Sequence, residues 1–567
     1  MTEGLRNLFL QNIFTLYGAQ LALLLVAGAF CLPALRKFFA GFGRGTWILL
    51  ALLAGLNLAV ILILNKDFAG ISEEWEELFL ARLLSKGELQ VFYSEFRHGF
   101  SWPALVSFVS RWGNVVAAAS TLTLAASALT AVAVYLSALL LFSSTAAAAA
   151  GGLLFTFSFQ AVNHAAVFKG KPMVAMLAAA GFIFTTALVA RLKSLPAMLF
   201  AAAYLAFIVN IRQEFMVYPL LLAGGLFLLV PPREYGELFD PRKIFPAWAA
   251  FAVLSLGFYF ISFERGLGAH GLTAAAAPLY QPAAQGALES FSAQAASAFT
   301  NFIFAGKWWL SNPGYLALLL IPLAGIKRFG RRRPLAFLYG SFLALNVMYI
   351  ALAVRSGFPL EYRLLDQIFP FLALIGGFAA AAVLELKDVR PWRRWLALAL
   401  LAGLVAAGVY PMASAALKIS CPHSGRAEVE QAAALLRGGV AGKITVLVGS
   451  RDQEAMWRCL TEFKAVNIQR IYPYKDILTR PDTENAGKYP LPFELLPPPV
   501  MLVRQDTTGE MEGFYYQAIA RQCRLAPAGR LPSFALYSVA GCKPFNPEGN
   551  PEFLPEKMKL VRLLAGR

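Results

Sequence analysis

Long apolar runs separated by short polar loops are the feature that most constrains this sequence, and they recur over residues 1–417. A run of about 17 to 25 apolar residues is the length that an α-helix needs to cross a bilayer. About twelve such runs can be marked by their charged or Pro- and Gly-rich interruptions. Their centres lie near Leu24, Leu56, Leu129, Gly152, Gly181, Ala203, Leu222, Val253, Leu320, Leu345, Leu374 and Leu404. The sequence therefore predicts a mainly α-helical polytopic membrane protein.

The composition agrees with lipid as the main solvent of the chain. Hydrophobic residues make up 58% of the 567 residues and charged residues only 15%, whereas the apolar share of an ordinary soluble domain is about one half. The formal net charge is +17, but the basic residues fall mostly in the short loops between apolar runs, where membrane topology accounts for them. We therefore expect membrane lipid as a partner, and no nucleic acid.

The third and fourth apolar runs are almost continuous, from Val115 to Phe159. A single helix of that length would be much longer than a bilayer is thick. Two separate spans need a tight turn between them, which the sequence predicts at Ser143 and Ser144.

Basic residues are concentrated in every second loop, and this orients the helices. The basic set of loops contains Arg36, Lys37, Arg44, Arg191, Lys193, Arg233, Arg242, Lys243, Lys327, Arg328, Arg331, Arg332, Arg333, Lys387, Arg390, Arg393 and Arg394. By the positive-inside rule these loops face the cytoplasm. The remaining loops then face outward, as do both chain ends. They are the long loops at 65–114 and 263–313, the short loop at 169, and the turns at 212 and 355–363. The Ala, Leu, Arg and Gly bias fits a bacterial source, so we expect an inner-membrane protein whose outer face is periplasmic.

Beyond Lys418 the chain changes to a mixed polar segment of a length that suits a small domain. The pattern predicts helices at Ala427–Leu436, Gln453–Phe463 and Tyr515–Arg521, and strands at Ile444–Val448, Ile468–Tyr472, Val500–Val503 and Phe534–Ser538. This alternation favours a small sheet flanked by helices. The sequence thus predicts a transmembrane domain at 1–417 and a soluble periplasmic α/β domain at 418–567.

Cysteine usage fits this topology. Cys31 lies within a membrane helix, whereas Cys421, Cys459, Cys523 and Cys542 lie in the C-terminal segment, on the side where disulfides can form. Four cysteines allow three connectivities of two bridges. Four buried free thiols are the alternative.

Acidic residues are concentrated in the first long outer loop. Asp67 is followed by Glu73, Glu74, Glu76 and Glu77, and then by an amphipathic stretch. At the membrane surface a carboxylate can act as a general base or bind a divalent cation. The alternative is a solvated first helical turn, where acids are favourable behind an N-cap at Ser72.

The residues Glu73-Glu74, Ala81-Arg82 and Gly87, followed by Pro103-Ala-Leu105, resemble the first outer loop of the GT-C glycosyltransferases. This superfamily of multi-spanning enzymes includes the protein O-mannosyltransferases and the aminoarabinose transferases, and its loop typically reads Asp-Glu, Ala-Arg, Gly and then a Pro-Leu helix start. The resemblance extends from about Leu49 to Leu386. Its weaker parts are Asn163-His164 to Pro172-Met173, Arg212-Gln213-Glu214, and Tyr362-Arg363 before Phe369-Pro370.

The resemblance implies catalytic carboxylates at Glu73, Glu74 or Asp67. The family usually has Asp where this chain has Glu73, and its second outer loop often has another Asp where this chain has Lys171. The sequence therefore does not decide whether the two loops bind a metal ion between them. The sequence requires no cofactor, and Mg²⁺ or Mn²⁺ is the alternative.

Basic residues of the outer loops suit the phosphate of a polyprenyl-phosphate carrier. We predict phosphate-binding roles for Arg363, Arg355, Lys169, Lys171 and Arg212, and auxiliary roles for His164 and Tyr362. For each basic residue alone, snorkelling to lipid headgroups is the alternative.

The resemblance implies an inverting glycosyltransferase that moves a sugar from a polyprenyl phosphate to a glycan, lipid or protein acceptor on the outer face of the membrane. A transporter or flippase of a lipid-linked or anionic substrate, and an inactive GT-C-like assembly subunit, are the alternatives. No P-loop, dinucleotide-binding fingerprint or HExxH motif is present, which argues against an ATP-driven pump and a zinc protease of that type.

Overall fold

The computed structural model describes residues 12–64, 72–88, 101–158, 161, 170–211, 213–255, 316, 319–322, 332–356, 366–384, 390–392, 394–396, 398–399, 402–403, 406, 410, 425–439, 444–449, 451–461, 463–468, 496, 499–505, 516–517, 519–532 and 534–543. The chain divides into two compact units. The helical unit comprises Met1–Lys66, Glu88–Phe108 and Ala117–Ser420, and the mixed unit comprises Asp67–Gly87, Val109–Val116 and Cys421–Arg567. Part of the first predicted outer loop therefore belongs to the same unit as the C-terminal segment.

Helices make up nearly all of the described helical unit. They are α1 (Ile13–Phe39), α2 (Arg44–Leu64), α4 (Ser101–Val109), α5 (Val115–Phe142), α6 (Thr145–Thr156), α7 (Gly170–Leu192), α8 (Leu195–Val209), α9 (Tyr218–Leu229), α10 (Tyr235–Leu238), α11 (Arg332–Ser356) and α12 (Phe369–Leu384). Three 3₁₀ turns lie at Ser110–Trp112, Gln213–Val217 and Pro232–Glu234. Residues 241–255 are also helical.

Six helices in the described ranges are long and apolar enough to cross a membrane. They are Phe14–Phe39, Arg44–Ile63, Val115–Phe142, Pro172–Leu192, Arg332–Ile350 and Asp366–Leu384. A bent pair, Phe215–Leu229 with Pro232–Leu238, gives a seventh span if it is counted as one, although its two parts meet at 116°. All seven coincide with predicted centres, which confirms an integral membrane protein; the predicted number of about twelve spans stays a prediction.

The predicted turn between the third and fourth apolar runs is confirmed. Helix α5 ends at Phe142 and α6 begins at Thr145. Ser143 has a φ of 50°, and the side chain of Ser144 accepts a hydrogen bond from the Ala147 amide at 3.2 Å. The two serines thus reverse the chain and cap the next helix.

Small residues bring α6 and α12 into close contact at the core of the helical unit. A Cβ atom added at Gly377 would lie 2.5 Å from the Ala147 carbonyl oxygen and 2.6 Å from the Gly151 nitrogen. Ala147 and Gly151 are four residues apart on α6, as are Ala373 and Gly377 on α12. This is the small-xxx-small arrangement by which membrane helices approach backbone to backbone. Helix α12 is buried from Phe369 to Ala382.

Among its described residues the mixed unit contains a five-stranded sheet, three bounded helices and further helical residues at 516–517 and 519–522. The helices are α3 (Ser72–Ser85), α13 (Gly425–Gly439) and α14 (Arg451–Leu460), and the strands are β1 (Thr445–Val448), β2 (Lys464–Asn467), β3 (Val500–Gln505), β4 (Arg524–Arg530) and β5 (Phe534–Ala540). The strand order is β2-β1-β3-β5-β4. Strand β1 pairs in parallel with β2 and β3, and β5 pairs antiparallel with β3 and β4.

Five of the predicted C-terminal elements are confirmed as α13, β1, α14, β3 and β5. The predicted helix at Tyr515–Arg521 is confirmed at its described residues, 516–517 and 519–521. Strand β2 begins at Lys464, before the predicted strand at 468–472. Strand β4 was not predicted, because Pro527 and Gly529 weaken the strand pattern. Both residues lie at a register shift on the edge of the sheet, where a bulge and a proline protect against pairing with another chain.

One disulfide is described in the mixed unit, between Cys523 and Cys542. It joins the residue before β4 to the turn after β5. Cys459 in α14 and Cys31 in α1 are buried and form no disulfide among the described residues. Cys421 lies outside the described residues.

We expect replacement of Cys523 and Cys542 by Ser to lower the free energy of unfolding of the mixed unit by about 3 kcal/mol, because the bridge between residues 19 positions apart removes loop-closure entropy from the unfolded chain. Thermal unfolding of the full-length protein with and without reductant measures this. Cys31→Ser is the matched control, because Cys31 forms no bridge. Equal unfolding temperatures for the Cys523→Ser/Cys542→Ser variant and the wild type would contradict the prediction.

Candidate functional site

Helix α3 carries Glu73 and Glu74 in its first turn. It begins at Ser72, which was predicted as its N-cap. From Trp75 to Leu84 its side chains are buried or half-buried, and Leu78 and Ala81 are fully buried. Helix α3 is therefore packed within the mixed unit and is not a solvated helix along its length.

Glu77 is a buried carboxylate that the sequence analysis did not single out. Its side chain is only 3% exposed, although charged side chains are almost never buried to this degree unless they are paired. Glu77 lies four residues after Glu73 along α3, a spacing that the sequence already showed.

In the helical unit, Ser101 connects the start of α4 to the ends of α1 and α8. Its amide donates a hydrogen bond to the Asn210 carbonyl at 3.0 Å, and its hydroxyl donates to the Phe207 carbonyl at 3.3 Å. The Tyr17 hydroxyl donates to the Ser101 hydroxyl. Residues 101 and 210 thus lie side by side.

Gly170, the first residue of α7, packs against the same region. A Cβ atom at this position would lie 2.5 Å from the Trp102 ring and 2.8 Å from the Thr123 hydroxyl. Trp102 is 2% exposed. Close packing at Gly170 therefore places the start of α7 beside the start of α4.

A second polar contact joins α9 to the turn that precedes α12. The Tyr218 hydroxyl donates to the Gln367 side-chain oxygen at 2.8 Å, and both side chains are buried, as is Asp366. Phe215 lies with its ring centroid 5.5 Å from that of Tyr218. The segment after Arg212 and the segment after Arg363 are therefore linked by this hydrogen bond.

We expect Tyr218→Phe to lower the free energy of unfolding by about 1 to 3 kcal/mol, because the buried Gln367 oxygen loses its donor. Tyr235→Phe is the control, since the Tyr235 hydroxyl donates to the Phe227 carbonyl at an exposed position. Chemical unfolding in detergent measures both variants. Equal effects of the two substitutions would contradict the prediction.

The structure gives backbone positions for four of the predicted site residues. Glu73 and Glu74 lie in the first turn of α3, Lys171 in the first turn of α7, and Arg355 in the last turn of α11. Six others lie outside the described residues: Asp67, His164, Lys169, Arg212, Tyr362 and Arg363. Gly170 precedes Lys171, and Asn210 lies two residues before Arg212. Both contact the start of α4. The roles of all these residues stay predictions.

Basic loops that were predicted to be cytoplasmic meet at one end of the helical unit. Lys193 forms an ion pair with Glu234 at 2.6 Å, and the Lys243 ammonium donates to the Lys193 carbonyl at 2.9 Å. The Arg191 guanidinium lies 3.9 Å from the centroid of the Phe38 ring. The hydrogen bond with Glu234 raises the pKa of Lys193 above its ordinary value. The ion pair and hydrogen bonds of these charged residues therefore join the loops at this end of the helical unit.

An apolar cavity of about 110 Å³ lies near that end, between α7, α8, α9 and residues 238–251. Its lining includes Met198, Leu226, Leu238 and Trp248. Such a lining suits a hydrocarbon chain better than a charged group.

In the part of the chain that the structure describes, no group of three or more His, Cys, Asp or Glu side chains is placed to hold a metal ion. That part does not include the side chains of Glu73 and Glu74. It also does not include Asp67 or His164. A divalent cation therefore stays a prediction.

Comparison of the sequence with protein-family models gives no match, and comparison with curated proteins gives none. Solved structures do match. The crystal structure of ArnT from Cupriavidus metallidurans bound to undecaprenyl phosphate is 14% identical, with a TM-score of 0.54 over 88% of this chain and 98% of that chain. Its apo structure is 13% identical, with a TM-score of 0.54 over 87% of this chain and 97% of that chain.

The crystal structure of the apo oligosaccharyltransferase from Archaeoglobus fulgidus is 11% identical over 88% of this chain and 75% of that chain, with a TM-score of 0.45. The similarity to ArnT covers both compact units and agrees with the resemblance in the first outer loop. The chain therefore shares the fold of ArnT.

Proposed function

We propose that this chain is a membrane glycosyltransferase that moves a sugar from a polyprenyl-phosphate carrier to an acceptor on the outer face of the membrane. The observation that carries this proposal is the similarity to ArnT, which spans 88% of this chain and 98% of ArnT. The ArnT structure is bound to undecaprenyl phosphate. A polyprenyl-linked sugar is therefore the donor class that we propose here.

In the proposed reaction a carboxylate of the first outer loop acts as the general base. Glu73, or Asp67 in its place, takes the proton from the acceptor hydroxyl, and Glu74 supports it. The acceptor oxygen then forms a bond to the anomeric carbon as the bond from that carbon to the phosphate oxygen breaks. Attack from the face opposite the phosphate inverts the anomeric configuration.

The leaving group is a polyprenyl phosphate, whose added negative charge must be stabilised. We propose Arg363, Arg355, Lys169, Lys171 and Arg212 for this role, because guanidinium and ammonium groups form charge-assisted hydrogen bonds to phosphate oxygens. Tyr362 and His164 are proposed to orient the phosphate or the acceptor. Each cation would also favour binding of the donor before reaction.

The Cys523–Cys542 bridge supports a periplasmic position for the mixed unit, since disulfides persist in oxidising compartments. Together with the basic loops at one end of the helical unit, it supports an inner-membrane protein with its C-terminal segment outside the cytoplasm.

Sugar transfer with purified protein in lipid tests this function. A panel of labelled polyprenyl-phosphate sugars is mixed with candidate glycan, lipid and protein acceptors, and the anomeric configuration of the product is determined by NMR. We expect the label to move to an acceptor with inversion. Parallel reactions with EDTA, Mg²⁺ and Mn²⁺ determine whether a divalent cation takes part.

An inactive assembly subunit is the second candidate, and Lys171 favours it. Lys171 lies in the first turn of α7, where the GT-C resemblance leads one to expect an acid. Tight binding of the donor lipid without any turnover would support this candidate over the enzyme.

A further inference from the structure

Arg82 of α3 caps the C-terminal end of α14. Its Nη1 atom donates to the Arg458 carbonyl at 2.6 Å and also to the Cys459 carbonyl. These carbonyls belong to the last turn of α14 (Arg451–Leu460). Residues 376 positions apart in the chain are thus joined by a charge-assisted hydrogen bond.

The position of this contact makes it favourable. The last carbonyls of a helix have no partner within the helix, and they form the negative end of its dipole. A guanidinium satisfies two of them at once, and its hydrogen bonds are stronger than those between neutral groups. Arg82 is half-buried, so water competes weakly for these donors.

A second set of contacts holds the same two helices together. The Arg458 guanidinium lies 5.0 Å from the centroid of the Phe79 ring on α3. It also forms an ion pair with Glu454 at 2.9 Å, and its Nε atom donates to the Ala465 carbonyl of β2 at 2.6 Å. Helix α14 therefore connects α3 to the sheet.

Buried side chains on both helices add to the connection between α3 and α14. On α3, Leu78 and Ala81 are fully buried, and on α14 Trp457 is fully buried. The first turn of α3, which carries Glu73 and Glu74, is therefore held in place by residues of the C-terminal segment. The sequence alone assigns no such role to that segment.

We propose that Arg82 is a positioning residue, which fixes the direction of the first turn of α3, and so of Glu73, by capping α14. This proposal rests on the proposed function, in which Glu73 is the general base. The C-terminal segment then contributes to catalysis through α3 without itself touching the reacting atoms.

Hydrogen–deuterium exchange of the full-length protein in lipid tests the anchor independently of activity. In Arg82→Met we expect the amides of 72–85 to exchange about tenfold faster than in the wild type, because local opening of α3 becomes less costly. Lys86→Met is the matched control, since Lys86 is an exposed cation just after the same helix, and it should leave exchange unchanged. Unchanged exchange in Arg82→Met would overturn the proposal.

Steady-state kinetics test positioning. Misplacement of a catalytic group by about 1 Å can lower turnover by about one hundredfold. We expect Arg82→Met to lower kcat strongly with little change in KM for the donor, and Arg82→Lys to recover part of kcat. A normal kcat in Arg82→Met, with Glu73→Gln inactive, would overturn the positioning role and leave the proposed function intact. Full activity of Glu73→Gln would overturn the positioning role and Glu73 as the base, whereas the proposed transferase would then depend on Asp67.

Discussion

Replacing Glu73 with Gln is expected to abolish sugar transfer, lowering kcat by about 10²- to 10⁴-fold. The amide has nearly the size and shape of the carboxylate but cannot accept the acceptor proton. We therefore expect the unfolding temperature and the affinity for the donor lipid to remain close to those of the wild type. Rates of transfer with purified variants in lipid measure the effect.

Two substitutions on the same helix serve as comparisons. Glu76→Gln removes an equivalent carboxylate from α3 and should retain most of the activity. Glu73→Asp should retain more activity than Glu73→Gln, because it keeps a carboxylate of the type that the family usually has there. Wild-type turnover in Glu73→Gln would rule out Glu73 as the base and direct attention to Asp67.

Replacing Gly377 with Ala is expected to lower the free energy of unfolding of the helical unit by about 3 kcal/mol or more. The added Cβ would lie 2.5 Å from the Ala147 carbonyl oxygen and 2.7 Å from the Gly151 Cα. Both are backbone atoms, so no side-chain rotation can relieve the contact. Helices α6 and α12 would have to separate and lose the packing between them.

Gly55→Ala in α2 is the matched control, because a Cβ there would meet nothing within 4 Å. Alanine favours helix over glycine by about 1 kcal/mol, so this variant should be as stable as the wild type or more stable. Unfolding by titration with denaturing detergent, at constant lipid, compares the two variants. A Gly377→Ala protein as stable as Gly55→Ala would contradict the described contact of α6 with α12.

Much of the fold follows from the sequence because the membrane imposes one simple rule. Apolar length alone locates the six described spans and the bent pair, and the serine pair at 143 and 144 locates the turn that length requires. The bend of 116° after Leu229 was not predicted. It lies at Pro231, whose backbone is extended, and Pro232, where the next helical turn begins.

The C-terminal elements were predicted less completely, because short strands give weak patterns. Strand β4 has a mostly exposed burial pattern and contains Pro527. Its pairing with β5 and the Cys523–Cys542 bridge define it. Neither pairing nor bridge connectivity can be read from spacing.

The candidate site was predicted through residue types and their resemblance to a family, and the contacts around it were not. The resemblance indicated Ala81-Arg82 as a motif without giving it a partner. The partner of Arg82 is α14, more than 370 residues further along the chain. Contacts between residues so far apart in the chain depend on tertiary packing, which local sequence patterns do not predict.

Release of free polyprenyl phosphate by the purified wild-type protein in lipid, with and without acceptor, is the most direct measurement of the proposed activity. We expect release from one sugar-linked polyprenyl phosphate to depend on an added acceptor and to match the amount of glycosylated product. Tight binding of the donor lipids with no release, over the whole panel of sugars and acceptors, would contradict it.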